Sequence, residues 1–313
     1  MISRRHIRIK VMQSLYSYFS QKESSISISE KEMLKHIENI NELHNVLLSL
    51  LLEIFKYAET YFEDNKKKFL PSSEDLNPNT KFTDNFIFKI LKNSSSLLTK
   101  MKKSSSVLID NDHDLIRKIF IELIKSETYA KFILLENSTK DDDVRFINNI
   151  LNNHILNNHV LHHVLEENSI YWIDDLPFVA TIIMGNFKLY KLANQKSVFK
   201  NLSDKNFSKE LFSGAILNNE DYEKVIIDKS KNWDLERIAL MDQILIKMAF
   251  CEILNMEDLP VKVTLNEYIE ISKYYSTTKS KMFVNGLLDN AINDFKSKNC
   301  LLYTSPSPRD VSL

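Results

Sequence analysis

Apolar positions recur along most of this chain every three or four residues, the spacing that lays a stripe down one side of a helix. The plainest case is near the C-terminal end, where Val284, Leu287, Leu288, Ala291, Ile292 and Phe295 form one continuous stripe. Trp233 to Phe295 therefore reads as a compact unit of three helices. The first, mostly apolar, covers Ile238 to Leu254 and is stopped by Leu259-Pro260; the others start at about Asn266 and about Ser280. Upstream, the pattern predicts one long helix, or two nearly continuous ones, from Glu30 to Phe69, and a short one over Phe82 to Leu91. Further helices are predicted over Leu115 to Leu135, Asp143 to Glu167, Phe207 to Leu217 and Asp221 to Lys229. Another runs from Pro177 to Ala193, with Pro177 in a first turn capped by Asp174 or Asp175. Pro71 to Thr80 and the Ser/Lys-rich tract from Lys92 to Ser106 break the pattern. The expected fold class is all-α.

Composition narrows the chemistry. With 313 residues, 43% hydrophobic and 27% charged, the chain has the profile of a soluble globular protein. Its three glycines, Gly185, Gly214 and Gly286, cannot build a glycine-rich phosphate loop or a dinucleotide fingerprint, which removes most nucleotide-dependent enzymes. The two cysteines, Cys251 and Cys300, form no CxxC motif, and no signal-peptide pattern is present, so a reduced cytoplasmic setting is expected. No apolar run approaches the roughly 18 residues of a membrane span. A formal net charge of -1 argues against indiscriminate coating of nucleic acid but allows a local basic patch.

Such a patch opens the chain: Arg4, Arg5, Arg8, Lys10 and Lys22 precede the first acid, Glu23. On a helix Arg4, Arg8, Val11 and Leu15 share a stripe, with Tyr16 and Tyr18 close by. If Val11, Leu15 and Phe19 enter the core, the arginines are expected to overhang it, since an unpaired buried charge is too costly. Arginines beside tyrosines point to RNA. A second patch starts the last helix, where Phe283 lies about 40° off the apolar stripe, flanked by Asn285, with Lys279 and Lys281 in reach of phosphates. Gly286, on the polar face, costs about 1 kcal/mol relative to alanine, which suits a close approach of backbone or ligand.

Other constellations carry less. Asp110 to Asp114 starts like a calcium loop but has Leu115 where glycine belongs and Ile121 where glutamate belongs. His154, His159, His162 and His163, with Glu166 and Glu167, include one i, i+4 pair but no HExxH, so a structural or surface role is expected. His113-Asp114 lacks further metal ligands at a recognisable spacing, and no nucleophile motif occurs. No catalysis, metal or cofactor is expected.

Two separated pieces resemble one family. Ser3 to Tyr16, Ser-Arg-Arg-His-Ile-Arg-Ile-Lys-Val-Met-Gln-Ser-Leu-Tyr, resembles the opening helix of the NusB family of transcription antitermination factors. Arg237-Ile-Ala-Leu-Met-Asp-Gln-Ile-Leu, Leu259-Pro-Val-Lys-Val-Thr-Leu-Asn-Glu-Tyr-Ile-Glu-Ile-Ser-Lys and Phe283-Val-Asn-Gly-Leu-Leu-Asp resemble its second half. This divides the chain into an N-terminal helical subdomain (1–64), an inserted, mainly helical region (65–204), a C-terminal helical subdomain (205–297) and a tail (298–313). Leu301 to Asp310 reads like translated adapter sequence, so the tail is expected to lie outside the fold.

The resemblance implies a bundle of two antiparallel helical subdomains. It also implies binding of boxA-like single-stranded RNA in ribosomal RNA transcripts, together with ribosomal protein NusE, within the RNA polymerase antitermination complex. RNA contacts are implied at Arg4, Arg5, Arg8, Gln13 and Tyr16, and at Lys279, Ser280, Lys281, Phe283 and Asn285; Asp242 is implied to face NusE. Lys279 stands where the family often has an acid, a change expected to strengthen phosphate binding and relax sequence preference. Two other readings compete: a helical adaptor acting through the insertion, and the NusB-like domain of ribosomal RNA cytosine methyltransferases. The latter would add a glycine-rich cofactor motif, which this sequence lacks.

Overall fold

A computed structural model describes residues 1–21, 25–95, 98–99, 113–191, 197–230, 235–256 and 259–298. Lys22, Trp233, Cys300, Asp110 to Asp112 of the calcium-like loop and the tail from Asn299 lie outside these residues. The described residues are helical and contain no strand, so the chain is all-α. They divide into two compact units: Met1–Ile37 with the chain from Phe199 onward, and Glu38–Val198.

The first unit is built around the helix that is apolar on every side. α1 (Arg4–Ser20) and α2 (Ile26–Glu38) come from the N-terminal end. α11 (Leu202–Leu217), α12 (Asn219–Lys229), a 3-10 turn (Leu235–Arg237), α13 (Leu240–Asn255), α14 (Val261–Tyr275) and α15 (Thr278–Ser297) complete the unit. Every residue of α13 from Ile244 to Ile253 is buried, Lys247 and Glu252 included, because α1, α11, α12, α14 and α15 all pack on it. An all-round apolar helix has to be enclosed in this way. α11 comes so close that a Cβ on Gly214 would stand 2.5 Å from Cys251 Sγ. Burial pushes the Cys251 thiol up to about 11, so it behaves as a small apolar group. Lys247 pairs with Glu223 at 2.8 Å and donates to the Asn219 side-chain oxygen at 2.7 Å, with the Phe19 ring 5.0 Å from its Nζ.

The helix starts follow their caps. α15 begins at Thr278, two residues before the predicted Ser280, because the Thr277 side chain accepts from the Ser280 amide. α14 begins at Val261, five residues before the predicted Asn266, because Pro260 occupies its N-cap instead of merely stopping the previous helix.

The second unit holds α3 (Ile40–Lys66), α4 (Ser73–Leu76), α5 (Phe86–Asn93), α6 (His113–Ile124), α7 (Glu127–Ile133), α8 (Lys140–Ile150), α9 (His159–Asn168) and α10 (Trp172–Lys188). α3 buries Leu43, Leu47, Leu50, Leu51, Ile54 and Phe55 against α5, α6 and α10. Phe55 stacks on Phe82 and Phe88, with ring centroids 4.8 Å and 4.6 Å apart, and Phe82 continues to Phe120 and Phe146. The family resemblance groups residues 1–64 together, but contacts divide the chain between Ile37 and Glu38, since the apolar face of α3 is satisfied within Glu38–Val198. Ser126 caps α7 and splits the helix predicted over Leu115 to Leu135. A π turn at Leu151–Ile155 interrupts the one predicted over Asp143 to Glu167. Pro177 is not in a first turn: α10 starts at Trp172, whose buried ring and that of Phe187 hold a helix with the proline inside it.

Candidate nucleic-acid interface

α1 carries its basic residues because Ser3 caps it, accepting from the His6 amide at 3.3 Å, and no acid enters its first turn. Val11 and Leu15 are fully buried, as the stripe predicts. The arginines do not simply overhang the core. Arg8 is only 2% exposed, and its guanidinium meets the buried carboxylate of Glu252 through Nε at 2.8 Å and Nη2 at 2.5 Å. Glu252 also accepts from Thr264 Oγ1 at 2.6 Å and the Tyr268 hydroxyl at 3.0 Å. The cost of an unpaired buried charge still holds; the pairing with Glu252 removes it, and with it the expectation that Arg8 contacts RNA.

Arg4 and Arg5 are more open but also paired. Arg4 Nε donates to Asp204 at 3.1 Å, and Arg4 and Arg8 both lie over the Phe207 ring, 5.2 Å and 5.3 Å from its centre. Arg5 makes a two-pronged contact with Glu267 at 2.6 Å and 2.8 Å. That hydrogen bond is the main reason the Glu267 carboxyl sits below its ordinary range. Each arginine thus ties α1 to a different helix: α11, α14 or α13. Gln13 is half-buried, and Tyr16 is 45% exposed beside this seam.

The second patch has a different character. The first turn of α15 contains no acid, while Lys279 is exposed and Lys281 half-buried. Neither lysine has an ion-pair partner among the described residues. Cations at the positive end of a helix oppose its dipole unless an anion joins them. Phe283 and Asn285 are half-buried on the same helix, and Asn285 Nδ2 reaches Asp289 at 3.4 Å. Gly286 is exposed, and a Cβ added to it would meet nothing within 4 Å. The two patches meet electrostatically at Glu270 on α14, whose carboxyl is lowered first by its hydrogen bond from Lys273 and further by the charges of Arg5 and Lys281.

Asp242 does not stand on an open surface. It is 4% exposed, accepts from the Ser276 hydroxyl through Oδ1, and lines a cavity of about 350 Å³ with Arg237, Ile238, Ala239, Thr277, Lys279, Ser280 and Phe283. The expected partner residue and three expected RNA residues therefore share one site. Sequence reasoning missed the acids that take up the arginines. One signal was available: Glu252 is the only acid in the last two turns of a mostly apolar helix. Among the described residues, no group of three or more His, Cys, Asp or Glu is placed to hold a metal ion, and no helix is long and apolar enough to cross a membrane.

Comparison with known proteins places the same region. The NusB family model matches residues 185–293. The chain is 41% identical over 106 residues to a transcription antitermination protein NusB of Chloroherpeton thalassium (strain ATCC 35110 / GB-78), a match covering 34% of this chain and 50% of that protein. It is 37% identical over 99 residues to the NusB protein of Salinibacter ruber (strain DSM 13855 / M31), covering 32% and 62%. It is 35% identical over 100 residues to that of Bacillus mycoides (strain KBAB4), covering 32% and 77%. The matches thus span between half and about three quarters of these relatives. No solved structure matches the chain.

Proposed function

The chain belongs to the NusB family, and from that premise we propose that it is a cytoplasmic, non-catalytic transcription antitermination factor that binds boxA-like single-stranded RNA. The observation that carries the reading is the first turn of α15. Two lysines without an ion-pair partner among the described residues stand at the positive end of a helix, next to a half-buried phenylalanine. Phosphate oxygens relieve that charge, and a partly exposed phenylalanine ring offers a base a stacking partner worth about 1 to 3 kcal/mol.

Arg5 extends the surface across α14, near enough to Lys281 for both to act on Glu270. Arg4 contributes at its margin with Tyr16. Arg8 holds α1 in place. Ribosomal protein NusE is the proposed protein partner, and the RNA polymerase antitermination complex the setting. Titrating the full chain with boxA-like RNA, with and without NusE, tests this. The expected result is binding to the RNA that NusE tightens; failure to bind in either condition would remove the proposal.

A further inference from the structure

The cavity at Asp242 is built from two helix starts. The 3-10 turn Leu235–Arg237 leads into α13 through Ala239, whose side chain caps nothing. Gln243 Nε2 fixes this turn by donating to the carbonyls of Leu235 at 3.0 Å and Ile238 at 2.9 Å. Opposite, Thr277 caps α15, and Ser276 donates to Asp242 Oδ1. The first turns of both helices line a cavity of about 350 Å³, within the range of small-ligand sites.

Its chemistry is specific. Ile238 and Phe283 supply apolar walls, Arg237 and Lys279 two cations, and Asp242 is the only acid among the described lining residues. Asp242 is 4% exposed, and its Oδ2 makes no hydrogen bond among the described residues. An unbonded carboxylate oxygen that stays accessible beside a cavity can accept from a donor placed there. A cationic side chain is disfavoured there, because Arg237, Lys279 and two positive helix ends surround the same space. An anion is repelled by Asp242 itself. What fits is a neutral ring with a donor edge and an attached phosphate.

Among the nucleobases, guanine alone presents two adjacent donors, N1–H and the N2 amino group, on its Watson–Crick edge. Adenine and cytosine place a ring-nitrogen acceptor beside their amino group, and uracil flanks its N3–H with two carbonyls. Unstacked bases in single-stranded RNA are read on this edge. We propose that the cavity is a guanine-selective pocket, in which the guanine edge donates to Asp242 while the neighbouring phosphate meets Lys279 and the first turn of α15. This rests on the RNA-binding reading above and adds a base preference to it.

The test uses the full chain and an oligouridylate of about twelve nucleotides, with one central position changed to guanine, inosine, adenine or cytosine. The guanine oligonucleotide should bind about tenfold tighter than the uridine, adenine and cytosine versions. Inosine, which lacks the N2 amino group, should fall between. Asp242→Asn should erase the preference, while Lys279→Ala should weaken all the oligonucleotides alike and keep it. Should the Asp242 variant fail to fold, Ala239→Leu, which fills the cavity from its rim, should erase the preference instead.

Equal binding of all bases, or a guanine preference that survives in both pocket variants, would overturn the pocket and leave RNA binding standing. No binding of any oligonucleotide would overturn both. An arginine-rich peptide whose binding requires Asp242, with no base preference in the RNA, would assign the cavity to a protein partner and also overturn the proposal.

Discussion

Arg5 and Arg8 stand one helical turn apart, and their surroundings separate them. Arg8 is enclosed with Glu252, Thr264 and Tyr268, whereas Arg5 grips Glu267 at a side-chain exposure of 49%. Removing one partner of a buried pair typically costs about 3 to 5 kcal/mol, while an exposed pair is worth about 0 to 1 kcal/mol. Arg8→Ala should therefore lower the denaturant midpoint strongly, and Arg5→Ala should leave it almost unchanged while weakening RNA binding. Equilibrium unfolding of both variants checks this, and equal midpoints would refute the division of labour. The sequence showed the arginines and their helix but could not show that three acids from distant positions, Asp204, Glu252 and Glu267, would meet them. Periodicity assigns a face to a residue, and pairing depends on which helix that face then meets.

At the scale of the elements, glycine marks two different demands. Gly214 sits where α11 crosses α13, with Cys251 Sγ 2.5 Å from its would-be Cβ. Gly286 has open space around it on the exposed face of α15. Gly214→Ala should lower thermal stability by forcing the helices apart. Gly286→Ala should raise stability by about 1 kcal/mol, the helix-propensity gain, and weaken RNA binding if a strand passes close over α15. Thermal melts and RNA titration of both variants read these outcomes; a stabilised Gly214→Ala would contradict the packing described. The apolar stripes gave most helices correctly, down to the fully enclosed α13. Starts were less legible, because Pro260 takes an N-cap position without a side-chain bond and the Thr277 hydroxyl becomes a cap only where its backbone turns extended. The π turn at Leu151–Ile155 left no mark in the apolar spacing.

For the whole molecule, the candidate site belongs entirely to the unit made of Met1–Ile37 and the chain from Phe199 onward. Hydrogen exchange of the full chain should therefore show RNA-dependent protection at the starts of α1, α13 and α15, with no change in Glu38–Val198. Protection confined to Glu38–Val198 would favour the adaptor reading. That α3 packs within Glu38–Val198 was not legible in the sequence, since an amphipathic helix reads the same whichever core it serves.

The central claim is that the two lysines opening α15 meet RNA phosphates. The most direct measurement is the salt dependence of binding to boxA-like single-stranded RNA, for the full chain and for the combined Lys279→Ala and Lys281→Ala variant. Each phosphate contact to a single strand contributes about 0.7 to the log-log slope, so the slope should flatten by about 1.4 in the variant. An unchanged slope would contradict the account.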